Sequence, residues 1–235
     1  KKLLLLFAAL LVAGCGEKSS SEGSDSGAES AEPSSDAAKP APTEPPVAES
    51  PSEAPSESPN SLSGVDVERL LKEAVDYDSL VEQSGLFYQN NELYNGWAKY
   101  RYDSGQGWGL EHLQGGKNDG PYTGWHENGQ KKEEGTFKDG KENGLFTMWE
   151  ENGQKASEET YKVGKLDGPY TGWHENGQKR EEGTYKDGKL DGLDRSWHEN
   201  GQKRSEIIFK DDELISAKYW NSEGEEVGTF DESSE

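Results

Sequence analysis

Three histidines recur in step along this sequence, at His126, His174 and His198, each followed by Glu-Asn-Gly-Gln. Imidazole is the commonest metal ligand, so metal binding is the first chemistry to weigh. Equivalent positions of successive hairpins lie two strands apart, roughly 9.5 Å at about 4.8 Å per strand. Metal–nitrogen bonds of about 2 Å need ligand atoms much closer together, and Glu150 interrupts the series. The expectation is therefore surface histidines that pair across strands with Lys or Glu, and no metal.

The carboxylates fare no better as a catalytic pair. Nothing singles out two of them, and the repeated Glu133-Glu134 and Glu181-Glu182 alternate faces as strand neighbours do. The stretch Gly183 to Lys189 fits the first seven positions of a phosphate-binding loop. Leu190 follows where a Ser or Thr should hold magnesium, and the segment joins two strands instead of leading into a helix. There is no serine or cysteine nucleophile context. These residues predict a protein that is not an enzyme and needs no cofactor.

The one cysteine excludes an intrachain disulfide and has another use. Lys1 and Lys2 form a positive start, Leu3 to Val12 an apolar core, and Ala13-Gly14 a small-residue approach to Cys15. The apolar run is about half the roughly 20 residues that a membrane-spanning helix needs, so it reads as a secretory signal over residues 1–14. The stretch Leu11-Val12-Ala13-Gly14-Cys15 resembles the lipobox of bacterial lipoproteins. That resemblance implies a diacylglycerol on the Cys15 thiol, cleavage before it and acylation of the new amino group. Acyl chains contribute about 0.8 kcal/mol per buried methylene, enough for stable anchoring when several act together. The expected location is the bacterial cell envelope, at the outer membrane or cell surface, with the lipid on Cys15 as the membrane contact.

Composition divides the rest. The chain has 235 residues, 29% hydrophobic and 31% charged, with a formal net charge of −22. After Phe7 no aromatic residue appears until Tyr77, and eight of the ten prolines lie between Pro33 and Pro59. Residues 16–60 carry ten acids against two bases, and residues 205–235 carry the same. The intervening 120–204 is nearly balanced, with seventeen acids against fourteen bases. Acidic flanks repel polyphosphates, which excludes a sequence-independent grip on nucleic acid. Residues 15–61 lack the apolar side chains that offset the entropy of ordering, and so predict a disordered tether beginning at the lipidated cysteine. Proline and like charge keep such a chain extended.

A short helix or cap is expected over 62–85. Val67, Leu70, Leu71, Ala74 and Val75 follow the i, i+3, i+4, i+7, i+8 spacing of one helix face, with Ser63 or Asp66 as a start. Two to three turns are marginal alone, so this helix should cap the C-terminal β array. Its polar face carries Glu68, Glu73 and Asp76, which does not suit a membrane surface.

From residue 86 onward the chain is built of repeats. Gly96, Gly120, Gly144, Gly168 and Gly192 stand 24 residues apart, and Trp125, Trp149, Trp173 and Trp197 keep the same step. So do Asn128, Asn152, Asn176 and Asn200, each with Gly-Gln next to it, and the aromatics Phe137, Tyr161, Tyr185 and Phe209. The clearest copy, residues 168–191, reads GPYTGWHENGQKREEGTYKDGKLD. An eroded copy at 96–119 carries Asp103-Ser104-Gly105-Gln106, and a fragment from Trp220 arrives one residue early.

Asn-Gly between two strand-like runs is a strong hairpin signal, since both residues tolerate the positive φ of a type I′ turn. With Asn128-Gly129 as a two-residue loop, Trp125 faces Lys132 and Tyr122 faces Gly135. Tyr122 and Phe137 then share one face, while Trp125, Thr123, Lys132 and Glu134 share the other. Asp139-Gly140-Lys141 makes the second turn. The fold class is all-β: an elongated antiparallel meander of stacked 24-residue hairpins over 86–227, ending in an acidic tail at 228–235.

The unit resembles the MORN repeat, in the variant form found in many bacterial proteins. The MORN core is Tyr-x-Gly-x-Trp, whereas this chain has Tyr122-Thr123-Gly124-Trp125, so the lipid-headgroup binding proposed for that core does not carry over. Members of the variant family are often labelled antitoxin components of toxin–antitoxin systems. The tryptophan row Trp125, Trp149, Trp173 and Trp197, with Tyr122 and Tyr170, holds the candidate binding or packing residues. Packing between hairpins is the first reading, because a thin sheet has few other ways to bury area. A ladder of exposed aromatics for a peptide, glycan or protein is the second. Solvent access to the indoles separates them. The function expected is display of a β-repeat scaffold at the envelope for a protein partner. Sequestration of a toxin partner and carbohydrate binding are the alternatives.

Overall fold

In the computed structural model of the protein the described residues are 62, 64–101 and 108–234. Cys15, the leader, the tether, Ser63 and the eroded Asp103–Gln106 segment lie outside them. No helix among the described residues is long and apolar enough to cross a membrane.

The helix spans Gly64–Glu73. Leu70 and Ala74 are buried against Leu110 and Trp125, with Val67, Leu71, Trp97 and Trp108 around them. The amide of Ala74 donates to the Leu70 carbonyl at 2.7 Å and closes the last turn. Val75 lies beyond it and opens a two-residue strand, Val75–Asp76, parallel to Gly96–Arg101 with Val75 opposite Ala98. The last position of the predicted helical stripe thus serves the sheet.

A single-turn 3-10 helix, Tyr77–Ser79, leads into a separate three-stranded sheet of Val81–Gln83, Leu86–Gln89 and Glu92–Leu93. Its turns, Ser84-Gly85 and Asn90-Asn91, have both residues at positive φ. Residues 86–93 therefore form tight hairpins of their own, and the 24-residue array begins at Gly96.

The main sheet is an open meander, antiparallel throughout except at Val75–Asp76. Its order follows the chain through Gly96–Arg101, Trp108–Gln114, Lys117–Trp125, Lys131–Lys138, Gly144–Trp149 and Lys155–Lys162. It continues through Lys165–Trp173, Lys179–Lys186, Gly192–Trp197, Lys203–Lys210, Glu213–Trp220 and the short Glu226–Val227. The acidic tail turns back: Glu232–Ser234 is a 3-10 turn, and Phe230 packs edge-on against Tyr219 at 5.8 Å.

The two kinds of turn are distributed otherwise than the Asn-Gly signal predicts. At Asn128-Gly129 only the glycine has positive φ, at 84°. The Gly129 amide donates to the His126 carbonyl at 3.0 Å, and the His126 amide to the Gln130 carbonyl at 2.9 Å. This is a three-residue loop, a type I turn closed by a left-handed glycine. The Gln130 amide donates to Asn128 Oδ1 at 3.0 Å, which holds the asparagine on the negative-φ side. The same bonds recur at 150–154, 174–178 and 198–202. The extra loop residue shifts the pairing, so Trp125 faces Lys131 and not Lys132, with a bulge between Gly124 and Trp125. The tight two-residue turns, with both residues left-handed, stand at the other ends: Asp139-Gly140, Val163-Gly164, Asp187-Gly188 and Asp211-Asp212. Tyr122 pairs with Gly135 as expected.

Candidate functional site: the two faces of the repeat sheet

Alternation along each strand sends the tyrosines and the tryptophans to opposite faces. The six candidate aromatics therefore form two surfaces, not one site.

On the tyrosine face, rings from successive strands meet edge to face. Tyr122 and Phe137 are 5.6 Å apart, Phe137 and Phe146 5.5 Å, and Phe146 and Tyr161 5.3 Å, at interplanar angles of 70–88°. Such pairs contribute about 0.5–1.5 kcal/mol beyond the area they bury. Tyr122, at 8% exposure, is shielded by these neighbours. Its hydroxyl donates to Glu133 Oε1 at 2.5 Å and accepts from Tyr100. The Phe146 ring lies flat on Gly135, where a Cβ would come within 2.5 Å of it. The structure thus explains the glycine facing the strand-borne ring.

Farther along, the face becomes acidic. Tyr170 pairs with Tyr185 at 5.0 Å, and its hydroxyl donates to the Asp194 carboxylate. Asp194 holds the position that Tyr122, Phe146 and Tyr170 hold in earlier repeats. Burial raises its carboxyl to about 6; the charges of Glu181 and Glu182 add to the rise, and the Tyr170 hydrogen bond opposes it. Burial also raises the Tyr170 phenol, with the Asp194 hydrogen bond and charge next.

The tryptophan face carries a repeated three-residue rung. Lys131 Nζ lies 5.5 Å from the centre of the Trp149 ring, Lys155 5.8 Å from Trp173, Lys179 5.7 Å from Trp197 and Lys203 4.9 Å from Trp220. Each ammonium also reaches a glutamate three residues on: Glu134 at 2.7 Å, Glu158, Glu182 at 2.7 Å and Glu206 at 2.9 Å. The bulges where these lysines pair with Trp125, Trp149, Trp173 and Trp197 put each lysine on the indole side. Each exposed contact is weak, on the order of 0.5–1 kcal/mol, but the pattern repeats along the sheet.

Shielding differs along the row. Trp125 is 7% exposed, stacked on Trp108 at 4.0 Å and covered by the helix. Trp149, Trp173 and Trp197 are half-buried, and no helix among the described residues packs over them. The first indole is a core residue and the others are rungs of an open face.

The histidines do not pair with Lys or Glu across strands. His126 Nε2 donates to the Trp149 carbonyl, His174 to that of Trp197 and His198 to that of Trp220, each at 2.9 Å. Beside them, the side-chain amides of Asn128, Asn176 and Asn200 donate to the carbonyls of Glu151, Glu199 and Ser222. Each loop is thereby stitched to the next. One junction differs. Glu150 stands in the histidine position, and the Asn152 amide turns to Gln154 Oε1 within its own loop.

The comparisons with known proteins meet this geometry at the repeat. The MORN repeat variant family matches residues 118–139, 142–162, 166–187 and 190–211. Each match covers one of four consecutive hairpins of the chain. The matches begin 24 residues apart, the step of the tryptophan row, and end before the fragment at Trp220. No curated protein matches the chain. Within the matched units, no motif in the sequence marks the Lys-Glu-Trp rung or the His and Asn stitches as contacts between repeats. The signal for them was their 24-residue recurrence.

Proposed function

We propose that this protein is a non-enzymatic, lipid-anchored component of the bacterial cell envelope whose MORN-variant sheet is a binding scaffold for a protein partner. The observation that carries the scaffold reading is the unequal cover of the tryptophan face. The helix shields the sheet as far as Trp125 and leaves the rungs at Trp149, Trp173 and Trp197 half-open. Half-open indoles flanked by paired Lys and Glu give a patterned surface with an apolar centre and a charged rim, the composition of protein-binding patches. The carboxylates on this face are engaged with lysines, which favours recognition over acid–base chemistry. The anchor rests on the lipobox-like run that ends at Cys15.

Two measurements test it. Cys15→Ala should remove the protein from the membrane fraction; retention there after a high-salt wash would refute the anchor. A photo-crosslinking residue at position 173 should give a discrete partner adduct in cells, absent when it is placed at Glu68 on the helix. Equal labelling from both positions, or none, would refute the scaffold.

A further inference from the structure

The two ends of the sheet are finished differently. At the first edge, Val75–Asp76 pairs with Gly96–Arg101, and the helix packs beside it. At the last edge, Glu226–Val227 pairs only with Tyr219 and Trp220. Among the described residues no strand pairs with the outer side of Glu213–Lys218, which presents backbone donors and acceptors of the kind that recruit another strand.

Apolar exposure concentrates at the same place. Of the eight exposed large hydrophobic side chains among the described residues, Ile208, Leu214, Ile215 and Phe230 belong to the last hairpin and the turn after it. Leu214 and Ile215 lie on the bare edge itself, 58% and 60% exposed.

The edge is also complementary to itself. It reads Glu-Leu-Ile-Ser-Ala-Lys, acidic at one end and basic at the other. Lys218 stands opposite Glu206 and so lies on the tryptophan face, while Leu214 and Ala217 stand opposite Phe209 and Ile207 on the tyrosine face. Ile215 is an extra, bulged residue between Leu214 and Ser216, so Glu213, opposite Lys210, shares the face of Lys218. Neither Glu213 nor Lys218 has an ion-pair partner among the described residues.

We propose that this edge joins two copies of the chain by antiparallel pairing of Glu213–Lys218 with itself, about a two-fold axis normal to the sheet. That operation keeps the faces in register. It sets each Glu213 against Lys218 of the other copy, and each Leu214 against Ala217, so one self-complementary patch serves both subunits. The interface is isologous and occupies the same patch on both copies, so pairing stops at two and does not propagate into a filament.

Charge reversal tests the pairing in the full chain carrying Cys15→Ser, which also removes any disulfide-linked dimer. Sedimentation velocity should show a concentration-dependent monomer–dimer equilibrium. Lys218→Glu alone, or Glu213→Lys alone, puts like charges opposite each other twice per dimer and should weaken association by about tenfold or more. The double variant Glu213→Lys/Lys218→Glu restores both attractions and should recover the original dimer. Association through the apolar leader is indifferent to these charges. A monomer at all concentrations, singles that dimerise as tightly as the parent, or a double variant that stays monomeric would each overturn the proposal. Circular dichroism of the variants should be unchanged, since both side chains are at the surface.

Discussion

His174 Nε2 donates to the backbone carbonyl of Trp197, 2.9 Å away and one repeat along the chain. A carbonyl only accepts, so the ring carries its proton on Nε2. The bond holds a three-residue loop against the strand of the next hairpin, and its equivalents at His126 and His198 do the same.

The missing stitch at Glu150 can be supplied. Glu150→His should donate to the Trp173 carbonyl as its counterparts do, stabilising the fold by about 0.5–1.5 kcal/mol, the net gain of one such bond. His174→Ala should cost a similar amount. Urea unfolding of both variants reads the two signs. A loss of stability in Glu150→His would mean that the junction is closed by something other than the absent bond.

Val163 sits at φ 53° in a tight turn where the other repeats have Asp139 and Asp187. A β-branched residue in that conformation is strained, and aspartate adopts it more readily. Val163→Asp should therefore raise stability by about 1 kcal/mol. An unchanged or lower melting temperature would contradict the strain.

At Gly135 an added methyl would press into the Phe146 ring, 2.5 Å away. At Gly129 nothing lies within 4 Å, although φ is +84°. Gly135→Ala should cost about 1–3 kcal/mol as overpacking. Gly129→Ala should cost about 1–2 kcal/mol through the backbone alone. A spectral change in the aromatic near-ultraviolet should accompany only the first.

Asp194 provides a pH test. Its folded carboxyl titrates near 6, above the ordinary value of 3.8. Between those values the folded state binds the proton more tightly than the unfolded one, so this group's contribution is present in acid and lost as pH rises through about 6. Asp194→Asn removes the buried charge and keeps an acceptor for the Tyr170 hydroxyl. Its melting temperature should exceed the parent's at pH 8, with a smaller gain at pH 5. Equal gains at both values would mean that the carboxyl is not being desolvated.

Much of this architecture is legible in the chain because the repeat restates itself. The 24-residue step gives the hairpins, and alternation puts Tyr122 with Phe137 and Trp125 on the other face. The turn type was not legible at Asn128-Gly129. That dipeptide suits a two-residue loop and equally the last two positions of a three-residue loop, and the choice rests on the bulge beside Trp125. The division of the tryptophan row was hidden for a different reason. Trp125, Trp149, Trp173 and Trp197 sit in the same local pattern, and only the docking of Leu70 and Ala74 makes the first a core residue. Likewise, the pairing of the histidines depends on backbone carbonyls of Trp149, Trp197 and Trp220, which no side-chain pattern announces.

The stitches also fix what an insertion would do. Every bond between loops joins one unit to the next, the helix engages only the first units, and the C-terminal turn only the last. Adding or deleting one whole 24-residue unit in the interior would leave both ends seated and the chemistry of each rung unchanged. The sheet would grow or shrink by two strands, roughly 9.5 Å. The length of the sheet is thus a quantity adjustable in fixed increments, while an insertion of any other length would throw the stitches out of step.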